Sequence, residues 1–481
     1  MLRKKRDAAA WIKEITLIAI PVALQNLMST TGSMVDTMML ATMGEATVSA
    51  VGMCAQFSSL FLSCYWGFVA GGTLFVTQYW GAGDEAGIRR SYGISLCMLF
   101  SIGMIFGILS LGFPQLVMGI YTDKPELQQI GIRYLKIAGW MFPVQSLTVA
   151  MSMLLRSTEH ARIPLVGGIV SVLSNCICNY ILIFGKFGAP ALGVRGAALG
   201  TLVASCLNLG VLLVSVMVFR IPYALELHRC FRWNRSFVAE YFRSSSLMLV
   251  NECGMGFGNT LINAVFGRQR PAAIAAVAIY RTVESIIWAF FTGFSTAGSI
   301  IIGKEVGAGN HETAQEKTAF IVYLTSGFVL FTCCCMMLIH VPLFTVLGLS
   351  GESFVICRNL CLAYCVIGPI RLGTWQHIDC FRSGGDPLFC TSVELASMYL
   401  LVIPCVYIAH FVFQAPFFLI FPLAYCDEGL RYYLMQRHLY SRKWIRPVSD
   451  KGLETIGAFR EKYGVRPGYP VLEAIAGLFH K

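Results

Sequence analysis

The sequence predicts an all-α integral membrane protein whose twelve transmembrane helices form two six-helix lobes, related by a pseudo-two-fold axis along the membrane normal. Three observations predict this fold class: a low content of charged residues, twelve long apolar stretches and an internal repeat. Of the 481 residues, 13% are charged and 56% are hydrophobic, whereas soluble proteins have about 25% charged residues. So few charges cannot cover a water-exposed surface, and most of the chain is expected to face lipid.

The apolar stretches predict helices that cross the membrane. A helix needs about 20 apolar residues to span the hydrocarbon, and helices satisfy their own backbone hydrogen bonds in lipid. The first stretch follows the basic sequence RKKR, and we interpret it as an uncleaved span because it is too long for a signal peptide. The predicted spans cover residues 15–42, 48–79, 91–114, 134–155, 163–184, 196–219, 244–267, 273–303, 318–346, 359–381, 388–409 and 412–430.

The distribution of basic residues predicts the orientation. Of the 37 Lys and Arg residues, 27 lie in the segments on the side of the N-terminus, seven on the opposite side and three within spans. Cytoplasmic segments carry such an excess of Lys and Arg. We therefore expect a multi-pass protein of the cell membrane with both termini in the cytoplasm. The net charge of +11 thus reflects orientation, and we expect no nucleic-acid partner.

An ungapped repeat with an offset of 226 residues relates the two halves of the chain. Because each half contains six spans, both halves start on the same side of the membrane, as in transporters built from parallel repeats. The matching positions are Gly81-Ala82-Gly83 with Gly307-Ala308-Gly309, Gly67-Phe68 with Gly293-Phe294, Pro143 with Pro369, and Arg156-Ser157 with Arg382-Ser383. The predicted segments are a basic N-terminus (1–14), an N-lobe (15–219), a cytoplasmic linker (220–243), a C-lobe (244–436) and a cytoplasmic tail (437–481).

Asp36, in the first span, is the first candidate for a functional residue. An ionisable group at membrane depth is costly and usually faces a cavity, where this carboxylate can bind a cation or take up a proton. The alternative is that Asp36 only reaches the water of the headgroup region. Asn175 and Asn179 lie one helical turn apart in span 5 and can either hydrogen-bond Asp36 or join neighbouring helices.

Glu252, near the start of span 7, is the second candidate. The glycines at positions 254, 256 and 258 leave one side of its helix bare and allow close approach of the backbone, which favours an ion site. Asp36 and Glu252 are therefore both candidates for binding Na⁺. The alternative for Glu252 is a side chain that extends to the cytoplasmic surface. Under the repeat offset Asp36 matches Ile262, so the acidic residues of the two halves are not symmetry mates.

Two further pairs of ionisable residues lie within spans. Arg281 and Glu284 are three residues apart in span 8 and can form an ion pair on one helix face. Arg371 and Asp379 are eight residues apart in span 10, also on one face, and can pair with each other or with Glu252. Each pair is either structural or part of a substrate path.

The order of several motifs resembles that of the multidrug and toxic compound extrusion (MATE) transporters over about residues 15–435. The resemblance depends on these sequences: IPVALQNLMSTTGSMVDTMML in span 1, VTQYWGAG after span 2, IGKEVGAG after span 8, LRSTEHARIP after span 4, NCICNYILIFGKFGAPALGVRGAALGT around spans 5 and 6, and FRSGGD after span 10. It implies two six-helix lobes that export organic cations in exchange for Na⁺ or H⁺.

The resemblance also implies roles for individual residues. Asp36 matches the acid of span 1 that couples ion binding to drug release, and Asn175, Asn179 and Thr201 match the polar positions around it. Glu252 matches the span 7 acid of the sodium-coupled branch. That branch also has an acid in span 10, where this chain has Arg371 and a displaced Asp379.

The sequence therefore favours a secondary antiporter that exports small organic compounds, mostly cations, by alternating access. It is not expected to be an enzyme: GSIIIGK at 298–304 resembles a phosphate-binding loop, but Glu305 replaces the required Ser or Thr. We expect a monomer in the lipid bilayer with no cofactor other than the coupling ion, Na⁺ or H⁺. The alternatives are a flippase for lipid-linked cell-envelope precursors, which needs a more cationic cavity, and a membrane sensor with an inactive transport core.

Overall fold

The computed structural model describes residues 2–346 and 351–465. Met1 and the last part of the predicted tail, residues 466–481, lie outside the described residues. The helices are α1 (Leu2–Ala41), α2 (Glu45–Ala82), α3 (Glu85–Gly112), α4 (Pro114–Tyr121), α5 (Pro125–Ala138), α6 (Met141–Ser157), α7 (Arg162–Phe184), α8 (Val194–Val218), α9 (Pro222–Leu225), α10 (Leu227–Cys230), α11 (Arg235–Phe266), α12 (Pro271–Gly307), α13 (His311–Leu338), α14 (His340–Val346), α15 (Gly351–Ser383), α16 (Pro387–Ser397), α17 (Ile403–Tyr407), α18 (Phe417–Leu423), α19 (Glu428–Ser441) and α20 (Asp450–Lys462). Two π-helical turns, Met398–Val402 and Ile408–Val412, flank α17.

Most predicted spans are present as long apolar helices. Among the described residues, nine segments are long and apolar enough to cross a membrane, and the pair α5 and α6, bent by 48°, counts as a tenth. These ten correspond to predicted spans 1–6 and 8–11. The predicted span 7 is also helical, within α11, but α11 is not among these segments.

The predicted limits of the last span, 412–430, are wrong. The preceding helical segment ends at Val412, and α18 begins only after Pro416, whose backbone is extended. Proline has no backbone N–H and therefore cannot continue the hydrogen-bond ladder of a helix. The next helix, α19, begins at Glu428 and continues to Ser441, so helical structure extends eleven residues beyond the predicted end.

The chain divides into two compact units. The first consists of Met1–Val76, Glu85–Phe257 and Trp288–Ala297. Its core includes the packed rings of Phe57, Phe61, Phe106 and Phe142, with centroids 5.0–5.9 Å apart. The second unit consists of Thr77–Asp84, Gly258–Ile287 and Gly298–Lys481. Its core includes Phe266, Tyr280, Tyr364 and Phe421, with ring centroids 5.2–5.7 Å apart. The lobe boundaries given by the repeat stay a prediction.

The Gly-Ala-Gly sequence of both repeat copies lies in the second unit, where the backbone geometry requires glycine. Gly83 and Gly309, the last glycine of each copy, have φ angles of +75° and +81°, which side chains rarely adopt. At Gly81 and Gly307, the first glycine of each copy, an added Cβ would lie 1.9 Å from a backbone carbonyl oxygen of the facing helix. Both copies therefore need glycine for a left-handed turn and for a close helix crossing.

Candidate functional site

Asp36 lies on α1, half-buried, and faces α7. Asn179 Nδ2 donates a hydrogen bond to Asp36 Oδ1 at 2.7 Å. The amide nitrogen of Asn175 donates to both carboxylate oxygens, at 2.7 and 3.1 Å, when the amide is oriented with its nitrogen toward them. The opposite orientation would place the amide oxygen against the carboxylate, so we adopt the first for ionised Asp36. The two asparagines, one turn apart, thus contact the same carboxylate.

Thr201, on α8, extends this network. In the same orientation, the Oδ1 atom of Asn175 accepts a hydrogen bond from Thr201 Oγ1 at 3.3 Å, and the hydroxyl group of Tyr134 hydrogen-bonds Thr201. Asp36, Asn175, Asn179 and Thr201 are called the Asp36 site below. The members contributed by α7 are buried, with Asn175 8% and Asn179 1% exposed. Within the described residues, every hydrogen-bond donor that reaches Asp36 is neutral.

The backbone of α8 is shaped to hold Asn179. Gly200 packs directly against this residue, and a Cβ at position 200 would lie 2.0 Å from Asn179 Oδ1. Glycine is therefore required for the observed position of the amide. With its oxygen against α8, the amide directs its nitrogen toward Asp36.

An apolar layer covers one side of the Asp36 site. Leu40, Ile183 and Ala197 form a cluster in which each residue is 4–6% exposed, and Met39, Val51 and Tyr134 pack against it. The first three residues each lie four positions from a member of the Asp36 site, which is about one helical turn. This layer keeps water from that side, and a lower local dielectric strengthens the attraction between the carboxylate and a bound cation.

Glu252 lies on α11 and is half-buried. The glycines beside it are only partly as expected: Gly256 has open space where a side chain would be, whereas at Gly258 a Cβ would lie 2.7 Å from Met398. One glycine thus leaves its helix bare and another provides room for a neighbouring side chain. The role of Glu252 in ion binding stays a prediction.

A second charged site lies in the second unit and is centred on Arg371. Its Nη1 donates to Glu284 Oε1, and its Nε lies 3.6 Å from Glu428 Oε1. The guanidinium group also lies over the ring of Tyr425, 5.0 Å from the centroid. Arg431 extends the network, with its Nη1 3.9 Å from Glu428 Oε1 and 3.3 Å from Asp427 Oδ2. This network, formed by Glu284, Arg371, Asp427, Glu428 and Arg431, is called the Arg371 cluster below.

The predicted partners of these residues are wrong. Arg281 donates to Asn263 Oδ1 and does not pair with Glu284 on its own helix. Arg371 pairs with Glu284 and Glu428, not with Asp379 or Glu252. Spacing along one helix permits a pair, but the packing of α12, α15 and α19 brings oppositely charged side chains from different helices closer together.

Asp379 is half-buried on α15, two turns after Arg371. Its backbone carbonyl oxygen accepts a hydrogen bond from Ser299 Oγ at 3.4 Å. The residue thus takes part in the packing of α12 against α15. A role of its carboxylate in ion coupling stays a prediction.

Sequence reasoning missed Glu428 and Tyr134. Glu428 is 5% exposed, and the adjacent acids Asp427 and Glu428 inside the predicted last span were a signal of the kind used for Asp36. No comparable signal existed for Tyr134, because a tyrosine in an apolar helix is common. Its place beside Thr201 follows from the packing of α5 against α8.

No group of three or more His, Cys, Asp or Glu side chains in the described part of the chain is arranged to hold a metal ion. This finding concerns clusters of such side chains, whereas Na⁺ also binds to neutral oxygens. The Asp36 site offers two carboxylate oxygens, whereas the oxygens of its two amides face Thr201 and α8 when their nitrogens donate to Asp36. Binding of Na⁺ by Asp36 or Glu252 stays a prediction.

Comparison with known proteins agrees with the internal repeat. The family model MatE matches the chain twice, at residues 21–181 and 248–408. The two matches begin 227 residues apart, close to the repeat offset. The family model therefore matches the chain once in each half, and Asp36 lies in the first match and Arg371 in the second.

Relatives and solved structures cover most of the chain. The "Uncharacterized transporter YisQ" of Bacillus subtilis is 23% identical over 422 residues, which is 85% of this chain and 90% of the relative. The "Probable multidrug resistance protein YoeA" of the same organism is 21% identical over 416 residues, 84% of this chain and 88% of the relative. The structure of a MOP superfamily transporter from Pyrococcus furiosus superposes with a TM-score of 0.78 at 16% identity and covers 90% of this chain and 96% of its own.

Proposed function

Since the chain belongs to the MatE family of membrane transporters, with its all-α fold of twelve helices in two lobes, we propose that it is a secondary multidrug antiporter. It exports small organic compounds, mostly cations, and takes up Na⁺ or H⁺ in exchange. The names of relatives such as the "Probable multidrug resistance protein YoeA" support multidrug export. The observation that carries the proposal is a half-buried Asp36 whose hydrogen-bond donors, in the part of the chain that the structure describes, are all neutral.

The chemistry of the Asp36 site suits a cation that binds and leaves. The donors from Asn175 and Asn179 stabilise the ionised carboxylate, because hydrogen bonds to a charged group are stronger than those between neutral groups. They do not remove its negative charge, so one monovalent cation can still bind. If that cation is a proton, the amide of Asn175 can turn and accept the new O–H hydrogen bond, with Thr201 following.

The energy available for exchange is sufficient. One monovalent cation that enters across a membrane potential of 100 mV supplies about 2.3 kcal/mol. At about 1.4 kcal/mol for each tenfold ratio, this energy supports an accumulation of roughly fiftyfold. This figure applies to a neutral compound, because one-for-one exchange of a monovalent organic cation for Na⁺ or H⁺ moves no net charge and is driven by the concentration gradient of the coupling ion. In both cases export needs no hydrolysis of ATP. Binding of a cation to Asp36 from the outside would release the substrate. The transporter would then return to the conformation that is open to the cytoplasm.

We place the transporter in the plasma membrane as a monomer, with both termini in the cytoplasm and no nucleic-acid partner or cofactor other than the coupling ion. Glu252 and Asp379 are further candidates for cation binding.

A flippase for lipid-linked precursors would need free arginines for a pyrophosphate. The guanidinium group of Arg371 is paired with the carboxylates of Glu284 and Glu428, which favours the antiporter.

The test is efflux of ethidium from proteoliposomes that contain the purified protein, with Na⁺ and pH gradients imposed separately. We expect one inward cation gradient to accelerate efflux severalfold over liposomes without a gradient. The gradient that does so identifies the coupling ion. Ethidium flux that is the same with and without both gradients would contradict cation exchange and favour a sensor with an inactive core.

A further inference from the structure

The Arg371 cluster differs from the Asp36 site in how its charge is balanced. Its three carboxylates belong to Glu284, Asp427 and Glu428, and its two guanidinium groups belong to Arg371 and Arg431. All five side chains are at most 22% exposed. The chain thus supplies its own cations at this site, whereas no cationic side chain of the described residues donates a hydrogen bond to Asp36.

Arg371 is the residue that joins the two halves of the cluster. It is the only side chain of the cluster in contact with both Glu284 and Glu428, which belong to α12 and α19. Arg431, by contrast, lies on the same helix as Glu428 and follows Asp427 by one turn. Removal of the guanidinium group of Arg371 would therefore leave two facing carboxylates with a space of one cation between them.

The surroundings of this space are rich in oxygen ligands. Glu428 is 5% exposed, and within the described residues its Oε2 atom has no hydrogen-bond partner. Tyr364 is 3% exposed, and its hydroxyl group likewise has no partner in the described part of the chain. Tyr364 lies close enough to Glu284 and Arg371 to interact with both electrostatically. Carboxylate and hydroxyl oxygens are suitable ligands for a hard cation such as Na⁺.

We infer that Glu284 and Glu428 form a site for a monovalent cation that the chain fills permanently with the guanidinium group of Arg371. The Arg371 cluster therefore takes no part in cation exchange, whereas the Asp36 site requires a mobile cation. This inference rests on the proposed exchange of substrate for a cation. It explains why acidic residues in both units are compatible with a single coupling site.

The first experiment counts the Na⁺ ions bound by the purified full-length protein, with ²²Na⁺ in a scintillation proximity assay at fixed pH and ionic strength. We expect Arg371→Ala to bind one more Na⁺ per chain than the parent protein. The double variant Glu284→Gln/Arg371→Ala should lose this additional ion. Arg268→Ala is the matched control, because Arg268 of the same unit lies over the ring of Phe411 and does not balance a carboxylate of the cluster.

The same measurement is made in an Asp36→Asn background, which separates this inference from the proposed function. An additional Na⁺ in Arg371→Ala appears there regardless of whether Asp36 is the coupling residue. Conversely, an Asp36→Asn variant with normal cation-driven efflux overturns the role of Asp36 and leaves the count at Arg371 unaffected. Well-folded Arg371→Ala protein that binds no additional Na⁺ overturns the inference.

Poor folding of Arg371→Ala would itself be informative. Two facing carboxylates without a cation destabilise the folded protein, and an ion that binds only the folded state stabilises it. We expect the Tm of Arg371→Ala to be several degrees higher in NaCl than in choline chloride, with a much smaller difference for the parent protein. Glu284→Gln/Arg371→Ala should recover folding in either salt. If this double variant also fails to fold in both salts, Arg371 has a packing role and the inference is overturned.

Discussion

The Asp36 site and the Arg371 cluster differ in how the charge of their carboxylates is balanced. At Asp36, neutral donors from α7 hold a carboxylate whose charge remains available. At Arg371, carboxylates from α12 and α19 surround a guanidinium group that belongs to the chain. A fixed counter-ion favours stability and a missing one favours exchange, because a carboxylate that is already paired with a guanidinium group gains little from a second cation.

The repeat shows which features the two halves share. Their Gly-Ala-Gly turns coincide at the offset of 226, since both need a left-handed glycine and a close crossing. Their ionisable side chains do not coincide. Asp36 matches Ile262, which is 6% exposed, and Glu284 and Arg371 match Ser58 and Gln145. The same backbone architecture therefore carries different chemistry in each half.

The largest expected effect comes from removal of the unbalanced charge. We expect Asp36→Asn to abolish cation-driven ethidium efflux while the protein still inserts and folds, because an amide keeps the size of the side chain and cannot neutralise a cation. The measurement is efflux from proteoliposomes alongside size-exclusion chromatography of the purified variant. Asp123→Asn, at an exposed position between α4 and α5, is the control. Full cation-driven efflux by Asp36→Asn would contradict the proposed coupling role of Asp36.

The second prediction removes the fixed counter-ion. We expect Arg371→Met to lower the free energy of unfolding by about 3–5 kcal/mol, the usual cost of breaking a buried ion pair. Arg371→Lys should lose less, because it keeps the positive charge but not the two-sided geometry. Thermal denaturation in detergent provides the comparison, with Arg358→Met at an exposed position of the same helix α15 as the control. Equal Tm values for the Arg371 and Arg358 variants would contradict a stabilising role of the cluster.

Much of the fold could be predicted from the sequence, because the length and apolarity of a span are local properties. Ten predicted spans correspond to helices that meet these criteria. The last span was misplaced, since Pro416 interrupts an apolar run that hydropathy alone treats as continuous. The repeat was visible because glycines that are fixed by backbone geometry leave matching positions in both halves.

The candidate site was only partly predictable. Asn179 and Asp36 are 143 residues apart, yet both were candidates, because polar residues stand out in apolar spans. The partners of Arg371 were predicted wrongly, since spacing along α15 identifies neighbours on one helix only. Its true partners, Glu284 and Glu428, lie on α12 and α19, and the sequence does not report how these helices pack.

The third prediction concerns the donors of the Asp36 site. Asn179→Ala removes a hydrogen bond to a charged group, which is worth about 1.5–3 kcal/mol. At about 1.4 kcal/mol per factor of ten, the cation concentration for half-maximal efflux should change by roughly tenfold or more, with the maximal rate less affected. Asn208→Ala on α8 provides a matched asparagine outside the Asp36 site. An unchanged cation dependence in Asn179→Ala would show that this donor does not tune Asp36.

The smallest expected effect tests how α8 positions Asn179. In Gly200→Ala, the added Cβ would lie 2.0 Å from Asn179 Oδ1, so the amide or the helix must shift by about 1.5 Å to restore ordinary van der Waals contact. The hydrogen bond to Asp36 should lengthen and weaken without disappearing. We expect a change in cation dependence in the same direction as in Asn179→Ala but several times smaller.

Gly210→Ala, also on α8 and with open space where its Cβ would lie, should behave like the parent protein. Because alanine favours the helix over glycine in both variants, a difference between them isolates the contact with Asn179. If both variants shift the cation dependence equally, the effect belongs to the flexibility of α8, and Asn179 is held by other contacts of α7.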